Sequence, residues 1–202
     1  ARCRVELART WMREHPAVEC NTSGGRCIGD AMWRLQVRTT GAFAGQVVTE
    51  VMIDLQKAYE HVRRDTLITA ALSCGYPPQA LLYSPRMYSW NRRITLQGLI
   101  GKELTPWRGI TAGGAFATYE LWCLLLPVVK GVRRLGRGLH MSVHVGDVSV
   151  TLASPTVTQS ISSMAKVYKD LQESLGVKCK LKVAPDKTAI VSTREQAARQ
   201  LV

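Results

Sequence analysis

The chain has 202 residues, of which 46% are hydrophobic, and this balance excludes a disordered polypeptide and predicts one folded domain. It carries 27 lysines and arginines against 15 aspartates and glutamates, a formal net charge of +12, which favours a polyanionic partner such as nucleic acid. The longest apolar run, at residues 121–129, is far too short to span a bilayer, so no membrane partner is expected.

Three elements are predicted in the first third of the chain. Apolar residues recur at helical spacing over residues 28–40, which predicts a helix there. Residues 46–55 form a predicted strand that carries Asp54 near its end. Asp65 is expected to cap a further helix, which stops at Gly75. The apolar face of that helix is Leu67, Ile68, Ala71 and Leu72.

The middle third is predicted to hold a helix, a strand pair and an apolar helix. The first helix ends near residue 90 and is broken or kinked by Pro85. Residues 92–97 and 103–110 are expected to pair as strands across the intervening glycines. The apolar residues at 116–129 predict a buried helix.

The last third is predicted to hold a β-hairpin, a helix and two short strands. Alternating apolar residues on both sides of Gly146 and Asp147 predict a hairpin with these two residues at its tip. A helix is predicted over residues 156–175. Short strands are expected at residues 177–183 and 188–192.

The cysteines and histidines show no metal or disulfide framework. Six cysteines without a Cys-x-x-Cys pair, and without histidines at zinc spacing, predict reduced thiols in an intracellular protein. His140 and His144 lie in an alternating segment, which favours one half-buried and one solvated histidine over a metal pair. The chain begins without a methionine or an apolar signal segment, so we expect a domain of a longer protein.

Four short motifs occur in an order that resembles the reverse transcriptases of non-LTR retroelements. They are Asp-x-x-Lys-Ala-Tyr at residues 54–59, Gly-Ile-Thr-Ala-Gly at 109–113, His-Val-Gly-Asp at 144–147, and Leu-Gly-Val at 175–177 followed by Lys187 and Thr188. These segments are similar to motifs A, B, C and D of that family, and residues 25–32 are similar to the segment that precedes motif A. The resemblance covers residues 24–193.

The resemblance implies an α+β fold, namely a polymerase palm with partial fingers, in which an antiparallel sheet is backed by helices. Residues 1–202 would form a single partial domain, with a fingers segment at 1–50 and the palm at 51–202. Trp33, Arg34 and the Ala-Gly form of motif B are similar to copies found in dinoflagellate genomes, which is the source that the resemblance implies.

The implied activity is that of an RNA-directed DNA polymerase, which adds deoxynucleotides to a primer 3′-hydroxyl with Mg²⁺. The implied partners are an RNA template, a DNA primer and deoxynucleotide triphosphates, in an intracellular, nuclear setting. The sequence defines no oligomeric state. We expect the thumb and further finger motifs to lie outside these 202 residues, so that the chain alone would be poorly active.

Motif A supplies the first candidate metal ligands and part of a nucleotide site. A carboxylate at Asp54 can bridge two Mg²⁺ ions, and the Leu55 carbonyl can supply another oxygen ligand. Taken alone, Asp54 would more simply cap a turn. The resemblance assigns nucleotide binding to Leu55, Gln56, Lys57, Ala58 and Tyr59. The Tyr59 ring would exclude a ribose 2′-hydroxyl, and the alternative is an ordinary buried aromatic.

Motifs B and D add a glycine and a lysine. Gly113 would let the backbone approach the nucleotide closely, and a glycine at the start of a helix is a compatible alternative. Ala112 stands where the family often has glutamine, which puts a side-chain contact to the nucleotide in question. Lys187 would neutralise or protonate the leaving pyrophosphate, or else be a solvated turn lysine.

Motif C departs from the family pattern, which is an aromatic residue, any residue and two aspartates. Gly146 stands at the first aspartate, the principal metal ligand, so that Asp54 and Asp147 remain and metal binding should be impaired. In a shifted register Asp147 is itself the principal ligand. The alternative functions are a catalytically dead nucleic-acid-binding remnant and a basic domain unrelated to polymerases. If the palm interpretation holds, Asp54 and Asp147 should lie on adjacent strand ends.

Overall fold

The computed structural model describes residues 2–15, 19–21, 27–41, 45–136 and 138–201, and it forms a mixed helix and sheet structure. The helices are α1 (Arg2–Glu14), α2 (Ile28–Gly41), α3 (Ala58–His61), α4 (Arg64–Ser73), α5 (Pro78–Leu81), α6 (Ser84–Tyr88), α7 (Ala117–Leu135), α8 (Val157–Glu173) and α9 (Glu195–Leu201). The strands are β1 (Val47–Asp54), β2 (Thr95–Leu96), β3 (Leu99–Ile100), β4 (Leu139–His144), β5 (Asp147–Ser154) and β6 (Ala189–Ser192).

The main sheet is antiparallel throughout and has the strand order β4-β5-β1-β6. Its two faces differ because side chains alternate along each strand. Val51 and Val150, which are opposite each other, are fully buried on one face. Helix α8 covers that face, where the hydroxyls of Thr49 and Ser160 are 2.7 Å apart. The opposite face carries the polar residues of β1 and β5 and remains partly open.

Helix α7 forms the centre of the hydrophobic core. Its middle is apolar on nearly every side, a pattern typical of a helix that is surrounded by protein. Its buried residues include Leu121, Trp122, Cys123, Leu124, Leu125 and Leu126. Pro127 lies within the helix, yet its side chain is exposed and the helix continues to Leu135. The helix packs against α4 on one side and against strand β4 of the main sheet on the other.

A two-stranded ribbon, formed by β2 and β3, projects its apolar side chains into solvent. Gln97 and Gly98 make the turn, and both have a positive φ, of 50° and 82°. Ile94, Leu96 and Leu99 lie on one face of the ribbon and are 66%, 70% and 76% exposed. The ribbon is therefore an apolar surface outside the core.

Most of the predicted elements are confirmed. The helices expected at 28–40, 116–129 and 156–175 are α2, α7 and α8, and Thr156 caps α8 by accepting a hydrogen bond from the Gln159 N–H. The strands expected at 46–55 and 188–192 are β1 and β6. The expected break is present, because α5 ends at Leu81 and α6 begins at Ser84, with Pro85 in the first turn of α6.

Three of the predicted elements are wrong in position or type. Residues 177–183 do not form a strand, because a π-helical turn (Ser174–Lys178) extends α8 and only Val183 bridges to Leu55. The second strand of the ribbon is Leu99–Ile100 instead of 103–110, since the chain turns at Gln97 and Gly98. Of the expected second strand, Leu104 bridges to Arg92. The tip of the β4–β5 hairpin is Val145–Gly146, and Asp147 is the first residue of β5.

Two corrections concern α4. The helix begins at Arg64, so Asp65 lies in its first turn, where its carboxylate accepts the Thr66 N–H at 2.7 Å and does not cap the helix. On its expected apolar face Leu67 and Ala71 are buried, whereas Ile68 and Leu72 are exposed. The exposed pair faces away from α7, against which α4 packs.

The thiols and histidines agree with the sequence analysis. Within the part of the chain that the structure describes, the cysteines at 27, 74, 123 and 179 are free thiols. His140 is exposed and His144 is half-buried, as expected. No helix in the described ranges combines the length and apolarity that crossing a membrane requires.

Candidate active site

The two candidate carboxylates face each other across adjacent strands. Asp54 is the last residue of β1, Asp147 is the first residue of β5, and the two are directly paired in the register. The Leu55 N–H donates to the Gly146 carbonyl at 3.0 Å, so the pair next to the aspartates is hydrogen-bonded. The Asp54–Asp147 pair is therefore of the non-hydrogen-bonded kind, in which side chains approach most closely. The prediction that they lie on adjacent strand ends is confirmed.

Lys187 reaches the same pair of strands from the end of a 3₁₀ turn (Pro185–Lys187). The backbone fixes this approach, because the Ala184 N–H donates to the Asp54 carbonyl at 2.9 Å. The Lys187 Nζ lies 3.1 Å from Asp54 Oδ2. This hydrogen bond and the charge of Asp54 raise the pKa of Lys187, which remains a protonated ammonium group. Both ends of the ion pair are in contact with solvent, so its effect on stability is small.

The hairpin tip between β4 and β5 is strained and closely packed. Val145 has a φ of 57°, a left-handed backbone that a β-branched residue rarely adopts. A Cβ built on Gly146 would lie 3.1 Å from the Ala58 Cβ and 3.7 Å from the Leu55 carbonyl oxygen. A side chain at position 146 would thus leave the turn beside the Leu55 carbonyl, next to Asp54. The glycine leaves that location without a side chain.

Motif B runs alongside α3. The Ile110 N–H donates to the Tyr59 carbonyl at 2.9 Å, and the Gly109 N–H donates to the Val62 carbonyl at 2.8 Å. Gly109 has a φ of 86°, and a Cβ there would lie 2.9 Å from the Glu60 carbonyl oxygen, so glycine is required. The Tyr59 side chain is half-buried against the core.

Four of the remaining nucleotide-site candidates lie in exposed turns, whereas Leu55 and Ala58 are buried. Gln56 and Lys57 are exposed between β1 and α3, and Lys57 has a φ of 46°. Gly113 has a φ of 75°, and a Cβ there would meet nothing within 4 Å, so its backbone conformation favours glycine. Ala112 is exposed. No protein atom therefore crowds Gly113. That its backbone lies close to a bound nucleotide remains a prediction.

A cavity of about 300 Å³ lies on the open face of the sheet beneath α2, and we call it the carboxylate cavity. Asp54, Asp147 and Lys187 all line it. Its floor contains Met52 and Ser149, and α2 contributes Met32, Leu35 and Arg38. The structure therefore brings the three predicted catalytic side chains into one cavity, whereas Tyr59, Ala112 and Gly113 do not line it.

Of two further residues in the carboxylate cavity, the sequence analysis missed Glu50 and gave His144 no role in a site. Glu50 is 9% exposed, and burial raises the pKa of its carboxyl against the lowering effects of a Ser149 hydrogen bond and the Arg38 charge. His144 is paired with Asp147 in the register, and its Nδ1 is buried without a hydrogen-bond partner in the described part of the chain. Strand alternation was the available signal, since Glu50 shares a face with Asp54.

The metal-binding capacity of this cavity is limited. Within the described ranges, no group of three or more His, Cys, Asp or Glu side chains clusters closely enough to hold a metal ion. The hard oxygen donors near the strand ends are the carboxylates of Asp54 and Asp147 and the neighbouring Leu55 carbonyl. The residues present therefore suit a weak Mg²⁺ site better than a tight one.

No protein-family model matches this chain, and no curated protein matches it either. Its fold is similar to solved telomerase structures at low identity. Apo telomerase from Candida tropicalis, truncated from its C-terminal domain, aligns with a TM-score of 0.67 at 11% identity. Telomerases from Candida tropicalis and Candida albicans, each in complex with a TWJ fragment of telomeric RNA, align with TM-scores of 0.66 and 0.63 at 9% and 10% identity.

Each alignment covers 96% of this chain, but only 40%, 33% and 35% of the respective telomerase chains. The chain thus spans about a third to two fifths of the solved chains it matches. At these identities the likeness shows the fold alone. It confirms the expected mixed helix and sheet fold with an antiparallel sheet, whereas the reverse transcriptase activity, the non-LTR type and the dinoflagellate source remain predictions.

Proposed function

We propose that this chain is the palm, with partial fingers, of an RNA-directed DNA polymerase of the non-LTR retroelement type, and that Gly146 impairs its activity. The observation that carries the proposal is the direct pairing of Asp54 with Asp147 on adjacent strand ends. Lys187 lies beside this pair, at 3.1 Å from Asp54. The division into fingers at 1–50 and palm at 51–202 belongs to the same proposal.

Asp54, Asp147 and the Leu55 carbonyl would hold Mg²⁺. When bound, the metal would polarise a phosphoryl oxygen and lower the pKa of an attacking hydroxyl. Three ligands that carry only two negative charges give weak binding, because metal affinity follows the number of charged ligands. A carboxylate at position 146 would leave the turn beside the Leu55 carbonyl and add a third charge. Gly146 is therefore the proposed lesion.

The residues of the chain would then bind and orient the reactants. The Lys187 ammonium would neutralise charge that develops on the leaving pyrophosphate. Tyr59 would lie under the sugar of an incoming deoxynucleotide triphosphate, and the backbone at Gln56, Lys57 and Ala58 would contact its phosphates. The RNA template and the DNA primer would lie on the open face of the sheet, in a nuclear setting.

A second candidate function is a catalytically dead nucleic-acid-binding remnant. The observation that favours it is the small ligand set, because the described residues offer no cluster of three acidic, His or Cys side chains. Such a protein would keep its basic surface and lose the chemistry.

Primer extension on an RNA template, by a protein that carries its natural flanking sequence, separates these functions. We expect Gly146→Asp to raise Mg²⁺-dependent extension by about tenfold or more, because a third carboxylate stabilises the transition state. Gly146→Asn is the control, since it adds similar volume without charge. Efficient extension by the unmodified protein, unchanged by Gly146→Asp, would make Asp147 the principal ligand. If every variant binds RNA but none extends a primer, the remnant is the correct function.

A further inference from the structure

A second cavity lies apart from the carboxylate cavity, and most of its charged lining residues are positive. It has a volume of about 530 Å³ and shares no lining residue with the carboxylate cavity. Its basic lining residues are His61, Arg63, Arg64, Arg108, Lys180 and Lys182. We call it the cationic cavity. Three separate parts of the chain build it, so its charge does not come from a single basic run.

Most of these charges have no carboxylate partner. Arg63 is compensated, because its guanidinium donates to both carboxylate oxygens of Asp65, at 3.2 and 2.6 Å. Arg64 instead donates to the carbonyl oxygens of Tyr88, Arg108 and Gly109, at 2.8, 3.1 and 3.2 Å. Its full charge therefore remains.

The other three cations, Arg108, Lys180 and Lys182, form no ion pair within the residues that the structure describes. Four positive charges thus surround one cavity without compensation. Such an arrangement attracts anions and is stabilised when one binds.

The histidine of the cavity responds to these charges. Burial lowers the pKa of His61, and the charges of Arg108, Lys182 and Lys57 lower it further. Its Nδ1 is buried and has no hydrogen-bond partner in the described part of the chain. His61 therefore has an unused polar atom in a positive environment.

An exposed aromatic ring lies at the edge of the same cavity. Trp107 is 75% exposed, and the Arg108 guanidinium lies over its ring at 4.4 Å from the centroid. Aromatic rings beside basic side chains bind unpaired bases by stacking while the cations contact the phosphates. Bases inside a duplex do not offer their faces to such a ring. The combination therefore suits a single strand.

We propose that the cationic cavity binds single-stranded nucleic acid, with phosphates on Arg64, Arg108, Lys180 and Lys182 and a base stacked on Trp107. This site would give the proposed polymerase a second contact with nucleic acid, away from the carboxylates. The proposal rests on the proposed function only in choosing nucleic acid over other polyanions as the ligand. It requires no metal. Binding can therefore be measured in EDTA, where a failure is distinct from a failure of primer extension.

The test is fluorescence anisotropy of a labelled twelve-nucleotide RNA with the 202-residue protein in EDTA. The variant is Lys180→Asn with Lys182→Gln, because Lys180 has a φ of 56° and asparagine tolerates this backbone. We expect affinity to fall by about tenfold and the salt slope by about 1.4, since two phosphate contacts are lost. The control is Lys166→Gln with Lys169→Gln on the exposed side of α8, which should change affinity by less than about twofold.

The aromatic contact is tested separately. Trp107→Ala should weaken binding by about tenfold, whereas Trp107→Phe should retain most of it, because a stacking ring remains. Equal losses in the two double-lysine variants would overturn the proposal in favour of general charge attraction. If tripolyphosphate displaces the RNA at equal concentration and Trp107→Ala changes nothing, the cavity is a small polyphosphate site, which also overturns it. Thermal melting of each variant verifies that it is folded.

Discussion

The carboxylate cavity and the cationic cavity differ in how their charges are compensated. In the carboxylate cavity, Asp54 pairs with Lys187 at 3.1 Å, and the charge of Arg38 acts on Glu50. In the cationic cavity, Arg63 has a carboxylate partner, while Arg64 donates only to backbone carbonyls. Charges held together without partners raise the energy of the folded protein unless a ligand supplies the opposite sign. The comparison indicates that the carboxylate cavity is nearly neutral, whereas the cationic cavity has an uncompensated positive charge that an anion can neutralise.

One backbone segment is hydrogen-bonded both to a residue of the cationic cavity and to α3. Gly109 and Ile110 lie along α3, which follows Asp54, and the Gly109 carbonyl accepts a hydrogen bond from Arg64 of the cationic cavity. A change in this segment should affect both regions, whereas a change in either charge cluster should affect only one.

The sharpest test of this division separates chemistry from binding. In the Gly146→Asp background, Asp54→Ala should lower primer extension by at least about a hundredfold, because a contact to the transition state is lost. It should leave RNA affinity in EDTA within about twofold. The Lys180→Asn, Lys182→Gln variant should lower RNA affinity in EDTA more than it lowers primer extension. Comparable losses in both assays from either variant would mean that the two cavities act as a single site.

Gly109→Ala should damage both regions together. An added Cβ would lie 2.9 Å from the Glu60 carbonyl oxygen, in a residue with a φ of 86°. We expect a loss of about 2 kcal/mol or more in the free energy of unfolding. For a chain of this size that loss lowers Tm by roughly 4–8 °C, as measured by circular dichroism. Gly176→Ala, where a Cβ meets nothing within 4 Å, is the control. Equal melting temperatures for the two variants would contradict the role of Gly109.

Gly146→Asp should tighten Mg²⁺ binding in the carboxylate cavity alone. A third carboxylate should raise affinity by about tenfold, or about 1.4 kcal/mol, as measured by isothermal titration calorimetry. Ala58 must move by a few tenths of an ångström to admit the new Cβ, which lies 3.1 Å away. Gly146→Asn has the same steric cost without the charge and should not tighten binding. Similar affinities for the two variants would place the principal ligand elsewhere.

The smallest expected effect is a pH dependence in the cationic cavity. Burial, Arg108, Lys182 and Lys57 lower the pKa of His61, whereas Glu60 raises it slightly. A bound phosphate favours the protonated ring, so binding takes up a proton and affinity should rise as the pH is lowered. We expect about a two- to threefold gain between about pH 7.5 and 5.5 in RNA anisotropy.

His61→Gln should remove that gain. His140→Gln, which alters an exposed histidine outside the cavity, should retain it. A pH response that survives in His61→Gln would show that another group titrates.

The regular elements of the fold could be predicted because their signals are local. The apolar run of β1 and the alternation of β4 and β5 are visible in the sequence, and they put Asp54 at a strand end and Asp147 at the hairpin, where motif spacing had indicated ligands. The strand predicted after α8 was wrong because its sequence pattern resembles a strand. Lys178, Lys180 and Lys182 alternate with other residues as in a strand, but the π-helical turn and the left-handed Lys180 prevent extended pairing.

The cationic cavity could not have been predicted in the same way. Its residues come from α3 and α4, from the loop before motif B, and from the turn before Lys187, and no local pattern connects these segments. The net charge of +12 indicated that such a site could exist, but it did not indicate where in the chain the site would lie. The places of Glu50 and His144 in the carboxylate cavity could not be predicted either. Strand alternation shows which face of the sheet a side chain occupies, but it does not show which other side chains lie beside it.

The β2–β3 ribbon has a practical consequence for handling the protein. Ile94, Leu96 and Leu99 present an apolar face to solvent, and such faces promote association between copies. The net charge of +12 opposes this association by mutual repulsion. That repulsion extends about 10 Å at 0.1 M salt and about 3 Å at 1 M salt. The purified protein should therefore remain dispersed in dilute buffer and scatter light increasingly as salt is added, so that low-salt buffers are the better medium for storage.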